Sequence, residues 1–348
     1  MKLRLAAMPG LRIAGCASVA PADGTLAPLD NAQAARAVWG DDWERLLARL
    51  GWAPDHVATT WGVQRRGWTA VPGRAAAEHA PDAGDLALAA ARAALADAGR
   101  EPDDVDLLLV ATSTPPRATS SLAARLVRAL DGRAAAFDVR AGGAGALDAW
   151  LTAAALLAHG ARSALVVAAE TPSRWLDERV PALALLYGDG AGAVLLERDD
   201  GPSAGAAAGA GAASAGAPGA DLARGGTSRR GLLGALSLSA AGAGRPMTVP
   251  GPLPPTAAAL SAGGYRMEAP DRDYVRSLAV ARHELLSGLR TEFTAEVAAT
   301  DHFLPAAVTL PQALEDAASL GVAAGRLAVS LREHGALGCA APLVALAS

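Results

Sequence analysis

The chain has 348 residues, 51% of them hydrophobic and 19% charged, with a formal net charge of -4. That length predicts about two domains, or one large two-part unit with ample core. The acidic balance and the lack of a Lys/Arg-dense block argue against nucleic acid as a partner, and Cys16 and Cys339 alone make neither a disulfide framework nor a cysteine metal site.

Residues 3–20 read as a short strand and turn. Pro9, Gly10, Arg12 and Gly15 interrupt them, so they lack the unbroken apolar run of a secretion signal. The long Ala/Leu runs further on carry Arg, Asp and Gly at short intervals, which argues against a membrane span. The expectation is a soluble, cytoplasmic protein. Residues 31–50 read as a helix, and 61–68 as a compact segment that sets Trp61 and Trp68 beside Arg65 and Arg66. Rings next to guanidinium groups can hold a nucleotide by stacking and by phosphate contact, while a surface loop with one buried tryptophan accounts for the same composition.

Residues 85–98 carry helical apolar spacing and stop at Gly99. Strands are predicted at 107–110, 134–139 and 163–169, with helices at 120–130 and 145–159. Strands alternating with helices of ten to fifteen residues predict an α/β architecture with a buried sheet. Between 137 and 145 a strand runs through Gly142, Gly143, Ala144 and Gly145 into a helix. Many enzymes raise a nucleophile at such a turn, yet none of these residues can attack.

Residues 185–196 contain a Gly-Asp-Gly-Ala-Gly run from Gly188 to Gly192 ahead of an apolar strand. Residues 201–230 are dominated by Ala and Gly and read as a mobile surface insertion between two halves, 1–200 and 231–348. Regular structure resumes at 232–239, and 246–255 is a proline-rich loop. A long helical region follows at 271–299, then a strand at 301–304, a helix at 311–320, a strand at 327–331, and a glycine turn leading into an apolar C-terminal segment.

These segments resemble the 3-oxoacyl-acyl-carrier-protein synthase III family of the thiolase superfamily, most closely over 107–197 and 300–347. The residues that carry the resemblance are Ala136-Phe137-Asp138-Val139 ahead of the turn and the Gly-Asp-Gly-Ala-Gly run. It implies a thiolase-like duplicated fold, two similar halves with five-stranded sheets in α/β/α/β/α layers, dimerised through the first half. It also implies a cysteine that carries the acyl chain, with a histidine and an asparagine stabilising negative charge on the thioester oxygen.

The chain departs from that triad at all three places: the cysteine position is Gly143, the histidine position Ala306 and the asparagine position Ala336. None of these side chains can attack, carry a proton or donate a hydrogen bond. The ligand-binding positions are better kept, with Trp61 and Arg174 matching the pair that sandwiches adenine of coenzyme A, and Arg65 matching a residue near its phosphates. The resemblance thus implies acyl-coenzyme A or acyl-carrier phosphopantetheine as ligand, no tightly bound cofactor or metal, and either a homodimer or a heterodimer with an active homologue.

Candidate replacements are His334, Glu333 and Arg140. Glu333 and His334 form an acid/base pair only if their turn aims both inward. Arg140 suits an intersubunit salt bridge as well as substrate contact. His302 lies four residues before Ala306, about 13 Å away along an extended strand, and reads as structural. Cys339 reads as a small core hydrophobe, and Asp138 as a buried carboxylate that fixes the turn. Three functions compete: a noncatalytic partner subunit of an active synthase in fatty-acid-like or polyketide biosynthesis; a stand-alone acyltransferase, condensing or cyclising enzyme with no covalent intermediate; and a structural protein with no small ligand.

Overall fold

The computed structural model describes residues 2–20, 27–199, 231–239, 242–250, 256–261 and 264–348; the insertion expected at 201–230 lies outside them. A five-stranded sheet is formed by β1 (Leu11–Val19), β2 (Leu107–Ala111), β3 (Ala135–Val139), β4 (Ser163–Glu170) and β5 (Gly190–Arg198), in the order β1-β5-β4-β2-β3. β2 runs parallel to β3 and β4, whereas β5 runs antiparallel to β4 and β1. All of β4 is buried, because its Ala/Leu/Val run has helices over both faces.

The helices that matter for the site are α1 (Ala83–Ala98), α2 (Leu122–Leu130), α3 (Gly145–Ala158), α4 (Arg272–Glu292), α5 (Leu310–Leu320) and α6 (Ala341–Leu346). α1 starts where Asp82 accepts from the Gly84 and Asp85 N–H groups, and it ends at Gly99 with φ 61°. With α2 it covers one face of the sheet, over Leu108, Val110, Leu165 and Val167. α3 and α6 cover the other, over Leu109, Ala111, Val166 and Ala168. This odd/even partition is the period of two that a strand imposes. α1 sits so close that a Cβ on Gly15 would come within 2.7 Å of the Ala94 carbonyl.

Two turns in the same layer repeat one pattern. The three-residue turn Gly142–Ala144 leads into α3, and Gly338–Ala340 leads into α6. Their first glycines have φ 56° and 54°, the left-handed region that glycine adopts without strain. Cys339 in the second half therefore occupies the place that Gly143 holds in the first.

Three expected elements differ. The helix read across 31–50 is split into Asn31–Trp39 and Trp43–Arg49, with Gly40 at φ 68° between them. The long helix at 271–299 breaks at Phe293, which leaves helical geometry to bury its ring beside Gly234. The strands at 301–304 and 327–331 shrink to one parallel bridge, Phe303 to Leu327, and Leu331–His334 is helical. Among the described residues, two short antiparallel ladders pair the N-terminal strands with later ones, Lys2–Leu5 with Ala235–Leu238 and Met8–Pro9 with Gly231–Leu232. α4 packs on α5 through Leu286, Ala317 and Leu320.

β5 touches α6 backbone to backbone at Gly192, where a Cβ would lie 2.8 Å from Leu343 C and Val344 N. Neither neighbour is a flexible side chain that can swing away. Gly192→Val is expected to destabilise the protein by about 1–3 kcal/mol, read as a lower urea midpoint at unchanged slope.

Candidate functional site

The turn after β3, where the sequence reading looked for a nucleophile, carries only glycine and alanine. Gly143 is exposed, and a Cβ built on it would meet no atom within 4 Å. α3 begins two residues later, and its N-cap residue, Ala144, has no side chain that can cap the first turn. Ala306 is exposed. Ala336 is buried, its N–H donating to the Leu186 carbonyl at 2.9 Å and its carbonyl accepting from Gly188 at 3.2 Å. Asp138 is half-buried and caps α2, accepting from Leu122 N at 2.8 Å and Ala123 N at 2.7 Å. It fixes the start of a helix, not the turn.

The proposed replacements do not converge. Glu333 is exposed and 4.0 Å from Arg65, while His334, next in the same short helix, is buried. Their side chains therefore sit in different surroundings, one wet and one dry. Arg140 and His302 are exposed.

Cys339 lies directly beneath the turn, where a Cβ on Gly145 would be 3.7 Å from its Sγ. Its thiol donates to Glu170 Oε1 at 2.9 Å; the same oxygen accepts from Ser113 N at 2.9 Å, and Glu170 Oε2 accepts from Thr114 Oγ1 at 2.6 Å. Burial pushes the Glu170 carboxyl above the usual range, against these hydrogen bonds, and pushes the Cys339 thiol well up, aided by Glu170. Cys339 is thus a buried core group that hydrogen-bonds a carboxylate, beyond the small core hydrophobe that its residue type suggested. This cluster escaped the sequence because its members are far apart in the chain.

Asp189 of the glycine-rich run is also buried. It accepts from Thr69 N and Oγ1 and from Ser173 N and Oγ, at 2.5–3.0 Å, tying the loop after Gly67 to the turn after β4. Burial raises its carboxyl as well.

Trp61 is half-buried in the turn Val57–Trp61, which ends at Gly62 with φ 80°. It meets the Trp52 and His56 rings edge-on, each at 5.3 Å, and those two rings stack at 4.7 Å. The i, i+4 spacing of Trp52 and His56 was the available signal. Arg65 is exposed, whereas Arg66 is fully buried against Asn31 Oδ1 and the Asp30 carbonyl, and desolvation lowers it to about 10. Arg174 donates to Thr69 Oγ1 at 3.1 Å and to the Ala80 and Pro81 carbonyls at 2.8 Å. It lines a cavity of about 470 Å³ whose wall includes neither Trp61 nor Arg65. Among the described residues no group of three His, Cys, Asp or Glu side chains is placed to hold a metal, and no helix is long and apolar enough to cross a membrane.

The sequence model of 3-oxoacyl-[acyl-carrier-protein] synthase III matches residues 137–214. A β-ketoacyl-[acyl-carrier-protein] synthase III of Cereibacter sphaeroides is 44% identical over 147 residues, which are 42% of this chain and 43% of that relative. The chain thus aligns with less than half the length of the curated relative. The 3-oxoacyl-(acyl carrier protein) synthase III of Pseudomonas aeruginosa PAO1 superposes with a TM-score of 0.68 at 23% identity, over 97% of this chain and 88% of that one. The priming β-ketosynthase of the R1128 polyketide pathway gives a TM-score of 0.69 at 20% identity, over 99% and 89%. The fold is accordingly the thiolase-like duplicated α/β fold. The detectable sequence kinship to synthase III is concentrated on the turn, β4 and the glycine-rich run.

Two measurements probe this site. Gly143→Cys is expected to fold normally and to gain one acyl group from acyl-coenzyme A by intact-protein mass spectrometry, without condensing activity, since Ala306 and Ala336 still donate nothing. The second concerns pH. A carboxyl raised on folding keeps its proton to higher pH in the native state, so the Glu170 contribution to stability declines as pH rises above the ordinary glutamate range. Urea unfolding of Glu170→Gln should therefore lose less stability between pH 5 and 8 than the parent. Asp189 leaves both proteins a residual slope of the same sign.

Proposed function

We propose that the protein is a synthase III-like subunit of fatty-acid-like or polyketide biosynthesis that binds acyl thioesters without forming an acyl-cysteine and works beside an active homologue. The observation that carries this reading is the turn at Gly143: its backbone and the α3 N-terminus are in place, and the side chain that would attack is missing. Ala306 and Ala336 remove the proton carrier and the side-chain donor, so three functions of one mechanism are absent together. Trp61 and Arg65 form the thioester-binding side of the proposal, with the Trp61 ring for the adenine and the exposed Arg65 guanidinium for phosphates. Arg174, spent largely on backbone carbonyls, acts here as a structural brace. The partner is a second thiolase-like chain, in a homodimer or heterodimer, with acyl carrier protein or coenzyme A delivering the thioester.

A second reading, a stand-alone acyltransferase, condensing or cyclising enzyme, draws on the N-terminus of α3, whose N-cap Ala144 makes no side-chain bond. Backbone N–H groups would then stabilise a developing oxyanion while binding supplies orientation, and no covalent intermediate forms.

A mass-spectrometric assay with acyl-coenzyme A and acyl-carrier substrates separates the two. The partner-subunit reading expects no product from the pure protein, product from its complex with an active homologue, and a changed chain-length preference when Trp61→Ala is placed in that complex. Turnover by the pure protein overturns it in favour of the noncovalent enzyme.

A further inference from the structure

Tyr187 stands at the head of the glycine-rich run, directly after the short helix Pro181–Leu186, and is only 8% exposed. Its main chain is fully committed. The carbonyl accepts from the Trp68 indole at 2.9 Å, and the N–H donates to the Leu183 carbonyl at 3.3 Å. Its hydroxyl is different: it has no hydrogen-bond partner among the described residues. By contrast, the buried side chains of Thr114, Glu170, Ser173 and Asp189 are all hydrogen-bonded. A buried tyrosine O–H normally finds an acceptor, because leaving it unpaired away from water costs about 1–3 kcal/mol.

The residue is also fixed beside the site. Tyr187 and Ala336 form a parallel bridge, flanked by Ala336 N to Leu186 O at 2.9 Å and Gly188 N to Ala336 O at 3.2 Å. The approach is tight enough that a Cβ on Gly335 would lie 2.9 Å from the Leu186 carbonyl and 3.3 Å from Tyr187 C. Ala336 is the position that the resemblance assigns to a side-chain donor, and its methyl group cannot donate.

The phenol keeps its proton. Burial pushes it up to about 12, and Glu170, which bonds Cys339 beneath the turn at Gly143, adds to the rise. The hydroxyl is therefore a neutral donor at any ordinary pH, within electrostatic reach of the cluster under the open turn.

We infer that the Tyr187 hydroxyl donates a hydrogen bond to the carbonyl oxygen of a bound acyl thioester, the contact that Ala336 cannot make. The inference rests on the thioester-binding reading and names a donor within it. The contact holds and orients the ligand, with no bond made or broken.

The test is isothermal titration calorimetry of the full chain with acetyl-coenzyme A and with S-ethyl-coenzyme A, the thioether of the same size that lacks the carbonyl. The parent should bind the thioester about five-fold more tightly than the thioether, the scale of one neutral hydrogen bond. Tyr187→Phe should bind both alike, with its thioether affinity unchanged from the parent. The carbonyl stretch of the bound thioester, read by infrared difference spectroscopy, should lie lower in the parent than in Tyr187→Phe. Because the hydroxyl bonds no protein group, Tyr187→Phe should not lower the urea midpoint. Equal affinities in the parent, as when water alone satisfies the hydroxyl, overturn the inference and leave thioester binding standing. So does a preference that persists in Tyr187→Phe, or a lowered urea midpoint. Failure of both compounds to bind the parent overturns the thioester reading itself.

Discussion

The structure depends on how closely the C-terminal segment approaches the glycine-rich run. At Gly188 a side chain would collide with the His334 carbonyl and at Gly192 with the backbone of α6, and at Gly190 it would press within 3.2 Å of Leu337 and the Val19 carbonyl. Alternate glycines on one face of a strand turn it into a groove floor, and close-packed interiors leave no slack to absorb a methyl group there. Because the groove is filled, Leu337, Leu343 and Val344 are fully buried beneath the sheet. Ala336 is then bonded to Leu186 and Gly188, and Cys339 is delivered under the turn at Gly143. The C-terminal segment thus meets the glycine-rich run through main-chain contact at Gly188 and Gly192.

Two buried carboxylates finish that joint. Glu170 takes donors from Ser113 and Thr114 in the first half and from Cys339 in the second. Asp189 takes four donors from Thr69 and Ser173. Each is satisfied by hydrogen bonds without a cationic partner, so each holds geometry at a cost that depends on its protonation.

How much of this was legible in the sequence depended on range. Local signals served well. Gly99 ends α1 as expected, the run 163–169 is the fully buried β4, and Gly142 to Gly145 is a turn into a helix. Breaks set by tertiary packing were not readable: Phe293 leaves its helix because its ring finds burial beside Gly234, a residue far upstream. In the site, the missing side chains at Gly143, Ala306 and Ala336 were plain. The directions of Glu333 and His334 were not, since a turn of helix decides which of two neighbours faces solvent. That Arg174 also donates to two backbone carbonyls could not be read from residue type.

The twin turns carry a last consequence. The fold offers two equivalent places for a residue ahead of a helix, one open to solvent and one closed, and the sulfur sits in the closed one, 1% exposed and protonated. Thiol-seeking electrophiles find no reactive sulfur at the open turn of this chain. In an assembly that pairs it with a cysteine-bearing homologue, capture at an open turn comes from the homologue, and any capture by this chain comes from the half-buried Cys16.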